Sequence, residues 1–227
     1  MQGITPEQKL IKTNTGNCFI FGAGEFDGLT AVPGDGDLII AADAGLEYLK
    51  ELNITPDVLL GDFDSLGYIP NGKEIIRYPS VKDDPDMALA VEWAEKRGYS
   101  RFFLYGGTGG RIDHTIGNLQ LLAYIARRGM EGYLFGRGSG LTAIHNSAIT
   151  FSKDFTGMVS VFCIGKDACG VTEKGLKYEL ENGTLTTDKS LGLSNEFTGK
   201  ESYISVKDGT LLITWQLHTP ALPVKCG

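Results

Sequence analysis

The residues best suited to chemistry in this sequence are aspartates that follow apolar runs. Asp43 comes directly after LIIAA, Asp62 and Asp64 follow VLLG, and Asp83 and Asp86 come a few residues after IIRYP. A single aspartate in such a place is often only a turn or cap residue. Several carboxylates at one edge repel one another, however, and oxygen ligands suit Mg²⁺. The pattern therefore predicts a magnesium site formed where three strands end.

Two glycine-rich segments come at the ends of other apolar runs. The segment 22–25 (GAGE) follows CFIF, and the segment 106–111 (GGTGGR) follows FFLY and leads into a helical pattern. Backbone N–H groups of such a loop bind anions at a helix N-terminus, and Arg111 adds a possible bidentate contact. Neither segment fits a Walker A motif or G-x-G-x-x-G, which argues against a P-loop kinase and an ordinary dinucleotide-binding dehydrogenase. We expect a phosphate site of another kind.

The sequence also predicts the elements that bring these residues together. Up to about residue 140, short apolar runs without alternation are separated by helical patterns, which is typical of buried parallel strands. Ligands bind at the carboxyl ends of the strands in such sheets, where these aspartates and glycines fall. The predicted strands cover 17–21, 37–42, 57–60, 74–78, 101–105 and 132–135, and the predicted helices cover 44–52, 85–97 and 113–128.

After residue 140 the helical period disappears. Apolar runs at 158–164, 176–180, 201–206 and 211–217 predict strands, with turns at 181–183 and 208–209. The predicted fold class is therefore α/β: a three-layer α/β/α parallel-sheet domain at 17–140, then a smaller all-β sandwich of jelly-roll type at 141–227. Residues 1–16 form an N-terminal extension.

Composition limits the possible partners. The 227 residues carry a formal net charge of −7, whereas nucleic-acid binders need clustered Lys and Arg. No apolar run approaches the 18 or more residues that span a bilayer, and the N-terminus lacks the apolar core of a secretory signal. We therefore expect a cytoplasmic protein that binds neither nucleic acid nor membrane.

Four segments together resemble the successive motifs of bacterial thiamine pyrophosphokinases: GDFDSL (61–66), KDDPD (82–86), GGTGGRIDHTIGN (106–118) and GLSNEF (192–197). The resemblance extends from about residue 17 to the C-terminus. It implies transfer of the pyrophosphoryl group of ATP to the hydroxyl of thiamine, giving thiamine diphosphate and AMP, with Mg²⁺ as cofactor and ATP as co-substrate. It also implies a homodimer with thiamine bound between subunits.

The resemblance implies three groups of site residues. The metal-binding and catalytic carboxylates are Asp62, Asp64 and Asp86, and Asp113 is a further catalytic residue. The residues implied for the nucleotide site are Gly24, Asp43, Ser65, Lys82, Asp83, Gly107 and Arg111. The residues implied for thiamine are Asp113, Tyr178, Ser194 and Asn195. Pro85 is a departure, because the family usually has threonine there; proline suits the first helical position and leaves Asp86 in register.

The expected mechanism is in-line attack of the thiamine alcohol on the β-phosphorus, with AMP as the leaving group. Mg²⁺ would screen the phosphate charge, and either Asp113 or Asp43 would accept the alcohol proton. The same acidic edge also suits another magnesium-dependent pyrophosphokinase or a nucleotidyltransferase. A non-catalytic thiamine or nucleotide sensor is the alternative outside enzymes.

Overall fold

The structure is a computed structural model that describes residues 11–12, 16–62, 74–78, 85–219 and 221–226. Four predicted site residues lie outside the described residues: Asp64, Ser65, Lys82 and Asp83. The chain divides into two compact units. The first, here called the α/β unit, contains Lys12–Leu121 and Leu134–Arg137, and the second, the β unit, contains Met1–Ile11, Leu122–Tyr133 and Gly138–Gly227.

Parallel strands form the centre of the α/β unit. The elements up to residue 136 are β1 (Ile11–Lys12), β2 (Cys18–Phe21), β3 (Ala31–Val32), β4 (Leu38–Ala42), α1 (Gly45–Glu51), β5 (Val58–Gly61), β6 (Glu74–Arg77), α2 (Asp86–Glu95), β7 (Arg101–Tyr105), α3 (Ile112–Arg127) and β8 (Glu131–Gly136). Hydrogen bonding gives the parallel order β7-β2-β4-β5-β6, with Ile20 opposite both Ile40 and Leu104. The predicted parallel-sheet architecture is confirmed.

Burial explains why these runs are strands. Every residue of β2 and β5 is buried, as expected for parallel strands covered on both faces. At the edge of the sheet, β6 was expected to be buried in the same way, but Ile75 is 41% exposed. Its sequence, EIIR, has a charged residue at each end, and three of its four residues are exposed, as is typical of an edge strand rather than a central one.

The start of α2 differs from the prediction by one residue. Pro85 has φ −62° and ψ 151°, so it is the extended N-cap residue rather than the first helical residue. Its carbonyl oxygen accepts the first helical hydrogen bond, from the Leu89 N–H at 3.1 Å. Asp86 is therefore the first helical residue, where a carboxylate interacts favourably with the helix dipole.

The β unit contains two antiparallel layers. Its strands after β8 are β9 (Ser139–His145), β10 (Ala148–Phe151), β11 (Met158–Cys163), β12 (Ala168–Lys174), β13 (Leu180–Leu185), β14 (Gly192–Glu196), β15 (Ser202–Ser205), β16 (Thr210–Gln216) and β17 (Val224–Cys226). One layer has the order β14-β11-β16-β9 and the other β13-β12-β15-β10-β17. The ring of Phe151 on β10 packs edge-on against Trp215 on β16, with centroids 5.7 Å apart. The predicted all-β sandwich is confirmed.

One predicted strand and turn of the β unit were wrong. The run 176–180 is mostly loop, and the turn expected at 181–183 lies inside β13. Asn182 adopts a left-handed φ of 50°, and the pairing of β12 with β13 shifts register twice. Residues 181–183 thus form an irregularity in the pairing of β12 with β13 instead of a turn. None of the helices that the structure describes is long and apolar enough to cross a membrane.

Candidate functional site

Three predicted carboxylates lie at the carboxyl edge of the parallel sheet. Asp43 follows β4 and Asp62 follows β5, and these strands are parallel neighbours. The Asp43 N–H donates to the Leu60 carbonyl at 2.8 Å, which fixes the two strand exits side by side. Asp86 begins α2, which packs on β2, β4 and β5. Met87, the residue after Asp86, lies close to Gly22, which follows β2: a Cβ added to Gly22 would lie 2.6 Å from the Met87 Cε. The first turn of α2 therefore lies at this edge of the sheet.

Asp43 places a buried carboxylate oxygen at this edge. Asp43 is only 9% exposed, and its buried Oδ1 has no hydrogen-bond partner among the residues that the structure describes. Its backbone is left-handed, with φ 50°, a conformation that costs most residues about 1–2 kcal/mol but that aspartate tolerates better than most. Burying a carboxylate oxygen without a donor or cation is also costly. An oxygen-preferring divalent cation such as Mg²⁺ would satisfy this oxygen, although the described residues contain no group of three or more acidic, histidine or cysteine side chains that could hold a metal ion.

The two glycine-rich segments pair with each other beyond the strand ends. The N–H groups of Gly22, Gly24 and Glu25 donate to the carbonyl oxygens of residues 105, 106 and 108, at 2.8, 2.7 and 2.8 Å. This pairing brings the backbones too close for a side chain. A Cβ added to Gly24 would lie 2.6 Å from the Gly106 carbonyl oxygen. The predicted residues Gly24 and Gly107 are therefore part of one tightly packed double loop.

A carboxylate of the first glycine-rich segment accepts a hydrogen bond from the second segment. Glu25 Oε1 accepts from the Gly110 N–H at 3.1 Å. Arg137, from the turn after β8, donates to the same carboxylate through Nε at 2.7 Å and Nη2 at 2.5 Å. The hydrogen bond from Arg137, followed by that from Gly110, lowers the pKa of Glu25. The loop thus holds a carboxylate of the chain itself, and phosphate binding by this loop stays a prediction. Arg137 was missed because it lies 112 residues from Glu25 in sequence.

Arg111 and Asp113 bind each other at the start of α3. Arg111 donates through Nε at 3.2 Å and through Nη2 at 2.5 Å to the two carboxylate oxygens of Asp113. Both side chains are mostly exposed, at 72% and 61%. The arginine holds the pKa of Asp113 below its usual value, and Asp113 raises the pKa of Arg111. In this arrangement Asp113 is a weaker base than an unpaired aspartate.

The predicted thiamine residues lie in the β unit and differ greatly in exposure. Tyr178 is 62% exposed, Ser194 is exposed with a left-handed φ of 61°, and Asn195 is buried. The Asn195 Oδ1 accepts from the N–H groups of Tyr178 and Glu196, both at 2.9 Å, and its Nδ2 donates to the Tyr178 carbonyl at 2.7 Å. Asn195 therefore holds the backbone of Tyr178 in place.

A cleft of about 130 Å³ lies beside Tyr178 and Asn195. Its wall includes Glu173, which sequence reasoning missed. Glu173 is 2% exposed, and burial raises its pKa to about 7, although the Asn195 Nδ2 donates to its Oε2 at 3.1 Å. No strand was predicted over β12, so nothing in the sequence analysis indicated that this glutamate points inward.

Two family models match these two parts of the chain. The model described as "Thiamin pyrophosphokinase, catalytic domain" matches residues 33–134, and the model described as "Thiamin pyrophosphokinase, vitamin B1 binding domain" matches residues 146–211. Together they span most of the chain. The chain belongs to the thiamin pyrophosphokinase family.

Similarity to individual thiamin pyrophosphokinases extends over most of the chain. It is 28% identical over 192 residues to thiamine pyrophosphokinase of Bacillus subtilis, covering 82% of this chain and 90% of that protein. It is 27% identical over 180 residues to thiamin pyrophosphokinase 1 of Caenorhabditis elegans, covering 73% of each. The crystal structure of thiamine pyrophosphokinase from Bacillus subtilis superposes with a TM-score of 0.79 at 25% identity, covering 89% of this chain and all of that chain.

Membership of the thiamin pyrophosphokinase family separates the predicted site residues into two groups. Asp43, Asp62, Asp86 and Asp113 lie within the range matched by the catalytic-domain model. The cleft, with Tyr178 and Asn195, lies within the range matched by the vitamin B1 binding model. Of the predicted site residues that the structure describes, Gly24 lies outside both matched ranges.

Proposed function

We propose that this protein transfers the pyrophosphoryl group of ATP to the hydroxyl of thiamine, giving thiamine diphosphate and AMP. The observation that carries the proposal is the carboxyl edge of the parallel sheet: the catalytic-domain match covers Asp43, Asp62 and the Gly106–Gly110 loop, which together offer carboxylates and backbone donors for a metal-bound triphosphate. The family membership assigns the second substrate, through the vitamin B1 binding match.

We propose that Asp62, Asp64 and Asp86 hold Mg²⁺ and that Asp43 contributes a further carboxylate oxygen. When bound there, the ion would neutralise phosphate charge and so make the phosphorus easier to attack. The second glycine loop would bind phosphate oxygens through its N–H groups, and Arg111 would add a charged donor. The protein's main contribution is to align the groups and to screen their charge.

In the proposed step, the thiamine oxygen forms a bond to the β-phosphorus, and the bond from that phosphorus to the α–β bridging oxygen breaks. The electron pair leaves with AMP, and the alcohol proton passes to a carboxylate. Both candidate bases have another partner in this proposal, because Arg111 donates to both oxygens of Asp113 and the Mg²⁺ would take the Asp43 Oδ1. A base of this kind contributes about 10²–10⁴ in rate.

The test is incubation of the purified protein with ATP, Mg²⁺ and thiamine, followed by chromatography. Equal amounts of AMP and thiamine diphosphate, which disappear when thiamine is omitted or when the metal is chelated, support the proposal. Free inorganic pyrophosphate would indicate a nucleotidyltransferase instead. Binding of thiamine and ATP with no product would indicate a sensor.

We further propose that the α/β domain at 17–140 binds ATP and metal, that the β-sandwich at 141–227 binds thiamine, and that the protein is a homodimer. The support is the family resemblance and the order of the two matched ranges. Sedimentation of the full chain tests the dimer, because a single species near the 24.5 kDa of one chain would contradict it. The cytoplasmic location stays a prediction from the sequence.

A further inference from the structure

The cleft beside Tyr178 combines apolar walls with negative charge. Its described lining residues are Glu173, Tyr178, Glu179, Leu180, Leu191, Gly192, Leu193 and Asn195. Tyr178, Leu191 and Leu193 are all more than half exposed, so the mouth of the cleft is an apolar surface open to solvent. The described lining contains two carboxylates and neither lysine, arginine nor histidine. Aromatic and apolar walls with carboxylates and no basic side chain are suited to an organic cation.

Glu173 differs from the other acidic residues around this cleft because no positive charge among the described residues pairs with its carboxylate. It is buried on β12, opposite Leu180 on β13 and Ile204 on β15. Among the described residues, its one hydrogen-bond donor is the neutral amide of Asn195. A buried carboxylate with one neutral donor is poorly stabilised, and a cation nearby would supply the missing charge.

The neighbouring charged residues do not pair with the Glu173 carboxylate. On the loop after β12, the Glu179 carboxylate accepts from the Gly175 N–H at 2.8 Å. Lys177 is paired with Glu196 of β14 at 3.0 Å, and its Nζ lies 5.6 Å from the Tyr178 ring centroid. On the outer side of the strand pair, Lys174 of β12 faces Glu181 of β13 at 3.7 Å. Each cation already has a carboxylate partner, and none lines the cleft.

We propose that Glu173 is a specificity-determining residue, which supplies the buried negative charge that makes this cleft select a cationic ring over a neutral ring of the same shape. The inference rests on the proposed function, in which the ligand is thiamine, whose thiazolium ring carries a permanent positive charge. The charge of Glu173 contributes to recognition in the bound state, and Asn195 orients the carboxylate through its amide.

The proposal predicts a dependence on pH that a purely structural glutamate would not give. Glu173 has a pKa of about 7, so it is mostly protonated at pH 6 and mostly ionised at pH 8. Affinity for a cation should follow the ionised fraction and rise about tenfold over this range, whereas affinity for a neutral ligand should not. Glutamine keeps an oxygen that accepts from Asn195 but removes the charge.

The experiment measures equilibrium binding of thiamine and of 3-deazathiamine, a neutral thiophene analogue of similar shape, to the full chain at pH 6, 7 and 8. In the parent protein, the preference for thiamine should rise about tenfold between pH 6 and pH 8. In Glu173→Gln, the preference should be lost, with binding of the neutral analogue unchanged. The matched control is Glu181→Gln, which removes an exposed carboxylate of the same unit and should leave the preference intact.

Two results would overturn the inference. One is a preference of the parent protein that does not change with pH, a measurement that needs no variant to fold. The other is a Glu173→Gln variant that loses affinity for both ligands equally, because that outcome assigns Glu173 a purely structural role through Asn195. Failure of the proposed function has a different signature: the parent binds thiamine with the expected preference but forms neither AMP nor thiamine diphosphate.

Discussion

Replacing Glu173 by glutamine has a consequence for stability that is independent of any ligand. The carboxyl is 2% exposed, and its pKa of about 7 in the folded protein compares with a reference value of 4.5. A group whose pKa is raised by folding stabilises the fold only while it is protonated. Its contribution is therefore fully present below about pH 4.5 and is lost as the pH rises through about 7.

The size of the effect follows from the difference between the two pKa values. Each pKa unit corresponds to about 1.4 kcal/mol, so ionised Glu173 lowers the free energy of unfolding by about 3 kcal/mol at pH 8. At pH 5 most of this cost is still absent. Glutamine has no charge to bury and keeps the acceptor for Asn195. The variant should therefore gain about 2–3 kcal/mol over the parent between pH 5 and pH 8.

Urea unfolding at the two pH values measures this gain, and the tryptophans allow the β unit to be followed by itself. Trp215 lies in the core of this unit at 1% exposure, whereas Trp93 lies in α2 of the α/β unit. A Trp93→Phe background leaves Trp215 as the fluorescent reporter. Comparing parent and variant at the same pH cancels every other titrating group.

Glu181→Gln is the control, because this side chain is 83% exposed and should shift stability equally at both pH values. The reasoning would be refuted if the free energies of unfolding of parent and Glu173→Gln changed in parallel from pH 5 to pH 8. Such a result would mean that the Glu173 carboxylate is compensated in the folded protein without any ligand.

Three further predictions concern the α/β unit. Asp43→Asn should fold normally, as checked by circular dichroism, because asparagine also tolerates a left-handed backbone. The variant should lower kcat by about 10²–10⁴ in the AMP assay. A kcat near that of the parent at saturating Mg²⁺ would contradict the role of Asp43. Gly24→Ala should lower the free energy of unfolding in urea by about 1–3 kcal/mol, because the added Cβ would lie 2.6 Å from a carbonyl oxygen. The control is Gly117→Ala on α3, where the added Cβ has no atom within 4 Å and should not lower the free energy of unfolding. Arg137→Ala should raise the KM for ATP several-fold and leave the KM for thiamine unchanged, because it removes a cation beside the glycine loop; equal shifts in both values would argue against this placement.

The parallel sheet could be predicted because its strands are encoded locally. Four of them are apolar runs: CFIF, LIIAA, VLLG and RFFLY. Both ends of each of these four strands lie within about one residue of the predicted ends. The positions of Asp43 and Asp62 follow from the same runs, since each aspartate comes directly after one. Burial on both faces leaves little choice of structure for such segments.

The β unit and the contacts of the site were harder to predict because they depend on residues far apart in sequence. The strands β9, β10, β12 and β14 include polar residues and glycines whose burial is decided only by the strands beside them. The pairs of Glu25 with Arg137 and of Glu173 with Asn195 connect residues 112 and 22 positions apart. No local pattern indicates such pairs, whereas the motif GLSNEF indicated Asn195 only through a resemblance.

Both units contain a buried carboxylate that the fold itself does not fully compensate, and this suggests a common physical reason. Among the described residues, the Asp43 Oδ1 has no hydrogen-bond partner, and Glu173 has one neutral donor. A sequence selected only for stability would favour neutral residues at both positions, because burying charge opposes folding. In the proposed reaction each carboxylate meets a positive charge, the metal in one case and the thiazolium ring in the other. We therefore expect Asp43→Asn to lower metal-dependent turnover and Glu173→Gln to raise the KM for thiamine at pH 8, while neither variant loses stability there. A variant that lost both activity and stability would show that its carboxylate is a structural group.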